Sequence, residues 1–159
     1  MDQRFFTDEV KQVMRLAYTE AESLYHEYVC LEHIILALLS GRILEIERLG
    51  VAHEVLGAMG IISKNISLKI RKLLIPGPAM ITPAVAPLTQ QSKKVLRFAE
   101  EEMRGLKDTH IGTEHLLLGI IRLIEDEKEQ ERGIAHVVLS GLATINRARE
   151  EVIKARAQR

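Results

Sequence analysis

The chain of 159 residues has a single cysteine, Cys30, so it cannot hold an internal disulfide, and a reducing compartment is the expected setting. It also has no excess of charge, since 22 Lys plus Arg balance 22 Asp plus Glu. Zero net charge removes the broad attraction on which non-specific nucleic-acid binding depends. Aromatic residues are only 4% and none is interleaved with the basic clusters, so platforms for stacking bases are missing too. Long apolar runs are absent. The longest, Ile34 to Leu39 and Leu116 to Ile121, are six residues each, whereas a membrane span needs about 20. The start, Met1-Asp2-Gln3-Arg4-Phe5-Phe6, carries an early acid and no apolar core, so it does not read as a secretory signal. A cytoplasmic location is expected, or the plastid stroma if the source is a plant. None of the ten glycines is followed by lysine and no GxGxxG occurs, which excludes a phosphate-cradling loop and hence an ATPase within this chain.

What is present is ordinary for a globular protein: 47% apolar and 28% charged residues, in a length that suits one domain or two small halves sharing a core. The two-halves reading is supported by an internal repeat. A shift of 82 residues superposes Thr7 on Thr89, Val13 on Val95, Ala17 on Ala99, Glu20 on Glu102, Leu24 on Leu106, Glu32 on Glu114, His33 on His115 and Leu36 on Leu118. Further on, Gly50-Val51-Ala52-His53 matches Gly133-Ile134-Ala135-His136, with one residue inserted near Glu125 to Arg132. So long a series in order identifies a tandem duplication.

Each copy reads as helices. Val10, Val13, Met14, Ala17, Ala21 and Leu24 recur at three- and four-residue steps behind Thr7, Asp8 and Glu9, which form a helix-start signature. The equivalent helix of copy two starts at Thr89 and carries Val95, Leu96, Ala99, Met103 and Leu106. The next helices, about 32–40 and 114–123, are apolar nearly all round and belong in the centre of a bundle. Shorter helices are expected near 44–49, 52–59 and 64–74, and a longer one at about 144–157. Pro76, Pro78, Pro83 and Pro87 forbid a continuous helix between the copies. The expected fold is therefore all-α: an eight-helix bundle of two tandem four-helix repeats related by a pseudo-two-fold axis. It forms a single domain over 1–159, with repeat one at about 5–75, a linker at about 76–88 and repeat two at about 89–157.

Four repeat-matched polar residues stand out. Thr7 and Thr89 begin helices, and Glu32 and Glu114 begin the helix that follows in each copy. Capping and helix-dipole compensation account for them in structural terms. Alternatively, both helix starts face one groove, where the first attracts an anion and the neighbouring carboxylate a guanidinium. A phosphorylated arginine carries both charges on adjacent atoms. His33, His115, His53 and His136 lie among apolar neighbours and read as hydrogen-bonded core histidines. Lys64, Lys69, Arg71, Lys72, Arg147, Arg149, Lys154, Arg156 and Arg159 read as solvated faces of the repeat-final helices.

No metal site, cofactor or catalytic residue is expected. His26-Glu27 opens like HExxH, but Cys30 stands where the second histidine belongs, and no Glu-x-x-His pair exists. A nucleophile built from Cys30 and a histidine is the remaining enzymatic reading, against an inert, partly buried thiol.

The segments Phe6-Thr7-Asp8-Glu9, Glu32-His33-Ile34-Ile35-Leu36-Ala37-Leu38-Leu39 and Gly112-Thr113-Glu114-His115-Leu116-Leu117-Leu118-Gly119 resemble the Clp amino-terminal repeat. The resemblance runs over about residues 5–155 and implies the all-α front domain of ClpA- and ClpC-type AAA+ unfoldases. It implies a non-catalytic module that receives protein substrates and adaptors, and in ClpC-like members phosphoarginine-tagged proteins at two sites, one per repeat. By matching position, the ligand-binding residues would be Thr7, Glu32, Thr89 and Glu114. A stand-alone accessory protein that docks on the Clp protease or unfoldase and regulates its assembly is the alternative. Copy one has Cys30-Leu31 where the family usually has Gly-Thr, and copy two keeps Gly112-Thr113. If one tag site survives, the expectation is the second, Thr89 with Glu114.

Overall fold

The computed structural model describes residues 2–40, 50–61, 63–78, 86–126, 128, 132–142 and 144–159. Among them are eight α-helices and no strand longer than an isolated bridge. Copy one contributes α1 (Asp8–Ser23), α2 (Leu31–Leu39), α3 (Val51–Ala58) and α4 (Ser63–Leu73). Copy two contributes α5 (Gln90–Gly105), α6 (Thr113–Asp126), α7 (Ile134–Leu139) and α8 (Ile145–Ala157). The expected helix at 44–49 and part of the expected linker lie outside the described residues. A short 3-10 turn at Gln3–Phe5, which the apolar periodicity does not signal, precedes α1.

The starts follow the local chemistry. The Thr7 hydroxyl accepts the Val10 amide at 3.3 Å, and Thr89 the Ser92 amide at 3.2 Å, each satisfying a first-turn donor. Thr144 does the same for Arg147 at the head of α8. Helices α1 and α5 end alike. Tyr25 and Lys107 take left-handed backbone, with φ of 55° and 61°, so that His26 and Asp108 donate back to Ala21 and Met103. Glycine is the residue that adopts this conformation without strain. The chain uses tyrosine and lysine at the two positions.

Helices α2 and α6 form the centre, as their all-round apolar sequences require. Every residue of α2 is buried, and Ile34, Leu36, Leu116 and Leu118 have essentially no exposed surface. Gly119 lets α6 approach α5: a Cβ there would meet the Val95 carbonyl at 2.6 Å. The third helices cross over. α3 packs on α6 and α8 of the other copy, and α7 packs on α2 and α4. Two parallel bridges obey the same exchange, Phe6 with Ile111 and Val29 with Leu88. The Thr7 amide donates to the Ile111 carbonyl at 3.0 Å and the Thr89 amide to Val29 at 3.2 Å. Each copy's first helix is thus fastened to the loop that leads into the other copy's second helix.

Several cationic residues expected on solvated faces also tie helices together. Arg71 pairs with Glu20 across α4 and α1, and Arg149 pairs with the buried Glu102 across α8 and α5. Both bridges tie a repeat's last helix to its first through the matched Glu20 and Glu102, although the arginines come from different positions of α4 and α8. Lys64, Lys69, Lys72, Arg147 and Lys154 are exposed, as expected.

Candidate functional site

The crossed bridges decide which sequence-predicted residues meet. A cleft of about 320 Å³ is lined by Thr7 and Glu9 from the head of α1, Thr113 and Glu114 from the head of α6, and Asp108 and Arg156 beside them. Gly50, His110 and Arg159 border it as well. Thr7 therefore shares a cleft with Glu114 of the other repeat. The expected pairing of Thr89 with Glu114 within copy two is corrected. Thr89 is fastened to Val29, just ahead of the helix that carries Glu32.

The two glutamates are spent differently. Glu32 is buried, and its Oε1 accepts the Ala135 amide at 3.2 Å, which caps the first turn of α7. Glu32 stands in the first turn of α2, where a dipole role was expected of it, and its carboxylate also caps a helix of the other copy. In copy two a different atom does this work: the Thr113 hydroxyl accepts the Ala52 amide at the head of α3, at 3.4 Å. Glu114 is thereby released, and its carboxylate accepts no hydrogen bond and makes no ion pair among the described residues.

The cause lies in two residues. Leu31, opposite Thr113 in the repeat, has no hydroxyl to offer, so Glu32 supplies the acceptor. Cys30, opposite Gly112, brings a Cβ. A Cβ on Gly112 would overlap the Glu114 carboxylate where it now lies. Cys30-Leu31 therefore both blocks the outward position of the carboxylate and recruits it inward. The sequence shows the Thr113 hydroxyl that Cys30-Leu31 lacks, but as a cap for its own helix; the structure turns it to the Ala52 amide of α3 instead.

Behind each glutamate sits the repeat-matched histidine. The Gly112 amide donates to His115 Nδ1 at 2.8 Å, which puts the proton on Nε2, where it reaches Asp108 Oδ2 at 3.0 Å. Asp108 also accepts Arg156 at 2.6 Å. In copy one the Cys30 amide donates to His33 Nδ1 at 2.9 Å, and His33 Nε2 meets His26 Nδ1 at 2.8 Å. His26 passes the chain on to the Ile75 carbonyl at 2.8 Å. His33 and His115 are the buried, hydrogen-bonded histidines expected, whereas His53 and His136 are only half-buried. Burial holds His33 down to about pKa 4, helped by the neighbouring His26, and burial lowers His115 as well. Burial, then the charge of Glu32, push the Cys30 thiol up to about 11. At neutral pH it is held as a thiol, the weakly nucleophilic form, which disfavours the cysteine–histidine enzyme.

Among the described residues no helix is long and apolar enough to cross a membrane. The model of the Clp repeat (R) N-terminal domain matches residues 5–142. The ClpA homologue of the ATP-dependent Clp protease ATP-binding subunit from Guillardia theta is 35% identical over 150 residues, 94% of this chain and 17% of that protein. The chloroplastic chaperone protein ClpC of Pisum sativum is likewise 35% identical over 150 residues, 94% of this chain and 15% of that protein. The chain thus spans about a sixth of the length of these relatives. Two solved structures share the fold. The N-terminal domain of ClpD from Arabidopsis thaliana has a TM-score of 0.66 at 20% identity, covering 100% of this chain and 98% of that one. The N-domain of ClpV from Vibrio cholerae has a TM-score of 0.73 at 13% identity, covering 96% and 86%.

Proposed function

The chain belongs to the Clp repeat N-terminal domain family, and from that premise we propose that it is a non-catalytic receptor that takes protein substrates and adaptors for a Clp unfoldase. We further propose that it holds a phosphoarginine side chain in the cleft between Thr7 and Glu114. One observation carries this reading: a helix start and an unengaged carboxylate line the same cleft. The N-terminus of α1 offers amides and partial positive charge to a phosphoryl group. Glu114 offers a planar carboxylate to the guanidinium, the pairing that gives bidentate, charge-assisted hydrogen bonds. Glu9, on the same rim, favours the cationic half of the ligand.

The copy-one counterpart is closed by its own chemistry, since Glu32 already serves α7. The proposal is therefore a single site, built by both repeats. Calorimetric titration with free phosphoarginine, with arginine and phosphoserine as controls, tests it. Selective binding of phosphoarginine with a stoichiometry of one is expected. Failure to bind, or equal affinity for arginine, overturns the tag-receptor reading and leaves adaptor docking as the function to pursue.

A further inference from the structure

The position opposite the phosphoarginine cleft has not merely lost a function. Where copy two places Asp108, Gly112 and His115, copy one places His26, Cys30 and His33. One donor atom from each of these three lies within 4.8 Å of the others. Spacing rules for a single helix exclude this set, but His26 stands in the loop between α1 and α2 while Cys30 and His33 open α2, so the fold converges them.

We propose that His26, Cys30 and His33 bind one divalent transition metal of the zinc class, through two ring nitrogens and one sulfur, with the fourth position open to water. Two imidazoles and one thiolate are borderline-to-soft donors that suit zinc and cobalt over magnesium or calcium. Two of the three ligands can be reached from solvent, with the buried His33 behind them. Cys30 is only partly buried, and it lines with His26, Tyr25, Glu27 and Tyr28 an open cleft of about 510 Å³. The copy-two trio of Asp108, Glu114 and His115 is close in space too. Its aspartate is already taken by Arg156, and it lacks a sulfur.

The hydrogen-bond chain fixes what binding must do. His26 Nδ1 accepts from His33, so its lone pair already points at the site, and its Nε2 proton stays on the Ile75 carbonyl. His33 must move its proton from Nε2 to Nδ1, and this tautomer change releases the Cys30 amide it now accepts. The Cys30 thiol loses its proton to solvent as the metal–sulfur bond forms. One proton is thus released per metal ion, and affinity rises with pH.

Titration of the chain with Co²⁺ in the absence of thiol reductants tests the site. A thiolate-to-cobalt charge-transfer band saturating at one equivalent is expected, together with release of one proton. Cys30→Ser abolishes the band while the helical circular dichroism and melting temperature stay near those of the parent. His26→Ala, which removes a donor, lowers affinity by about tenfold or more, since even outer-shell partners of metal ligands carry that much. The proposal fails if no thiolate band develops or if cobalt affinity is indifferent to His26→Ala. It also fails if saturation falls at half an equivalent, which would mean that two chains share the metal through their cysteines.

Discussion

At the scale of single residues, the repeat serves as its own control. Glu32 and Glu114 match in sequence and occupy the same turn of equivalent helices, yet one caps α7 and the other stands free in a cleft. Replacing Glu32 by Ala strips the Ala135 amide of its acceptor, and a lost cap costs about 0.5–2 kcal/mol. Replacing Glu114 by Ala removes no internal partner and is expected within about 0.5 kcal/mol of the parent. Urea denaturation of the two variants checks the contrast; equal losses would mean that Glu114 has a structural role as well. The converse substitution is more informative. Cys30→Gly with Leu31→Thr gives copy one the hydroxyl and the space that copy two has, and should release Glu32 from α7. The double variant is expected to bind two equivalents of phosphoarginine where the parent binds one, and an unchanged stoichiometry would locate the difference elsewhere. The sequence displayed Cys30-Leu31 as a departure. That a carboxylate would turn inward because of it depends on α7 arriving from the other copy, which no local pattern records.

At the scale of elements, the helices were legible from periodicity, and Thr7 and Thr89 marked two of their starts. The all-round apolar segments announced the central pair, α2 and α6. Helix partnership was not legible. An apolar stripe on α3 says that a face is covered, not which copy covers it, and the exchange of third helices reverses the pairing that a copy-by-copy reading supplies. The crossed bridges are equally invisible to such a reading, and they are why Thr7, not Thr89, lines the cleft with Glu114. The helix ends carry another message. Lys107 is exposed and sits at φ 61°, a conformation that L-residues adopt at a penalty of about 1–2 kcal/mol. Lys107→Gly should therefore stabilise the protein by about 1 kcal/mol, somewhat offset by the greater freedom of glycine in the unfolded chain. Thermal melts would register this as a raised midpoint; a lowered one would mean that the lysine side chain contributes contacts beyond its backbone strain.

At the scale of the whole molecule, two buried histidines make stability depend on pH. His33 is held at about 4 against an ordinary 6.5, and burial lowers His115 in the same direction. A depressed histidine means that the unfolded chain takes up protons which the folded chain refuses. Stability is therefore full above about pH 6.5 and falls as the pH drops towards 4, His33 alone accounting for roughly 3 kcal/mol over that window. Chemical denaturation at pH 7.5 and pH 5 should show the loss, and identical curves would contradict neutral burial of these rings. The same global frame, two repeats tied by crossed bridges and exchanged helices, makes the proposed phosphoarginine site a joint product of both copies. A double-mutant cycle on phosphoarginine affinity tests that claim most directly, using Thr7→Ala, Thr89→Ala and Glu114→Ala. Thr7→Ala and Glu114→Ala should each weaken binding and be strongly non-additive, while Thr89→Ala leaves affinity unchanged. Coupling of Glu114 to Thr89 instead of Thr7 would contradict a site built across the repeats.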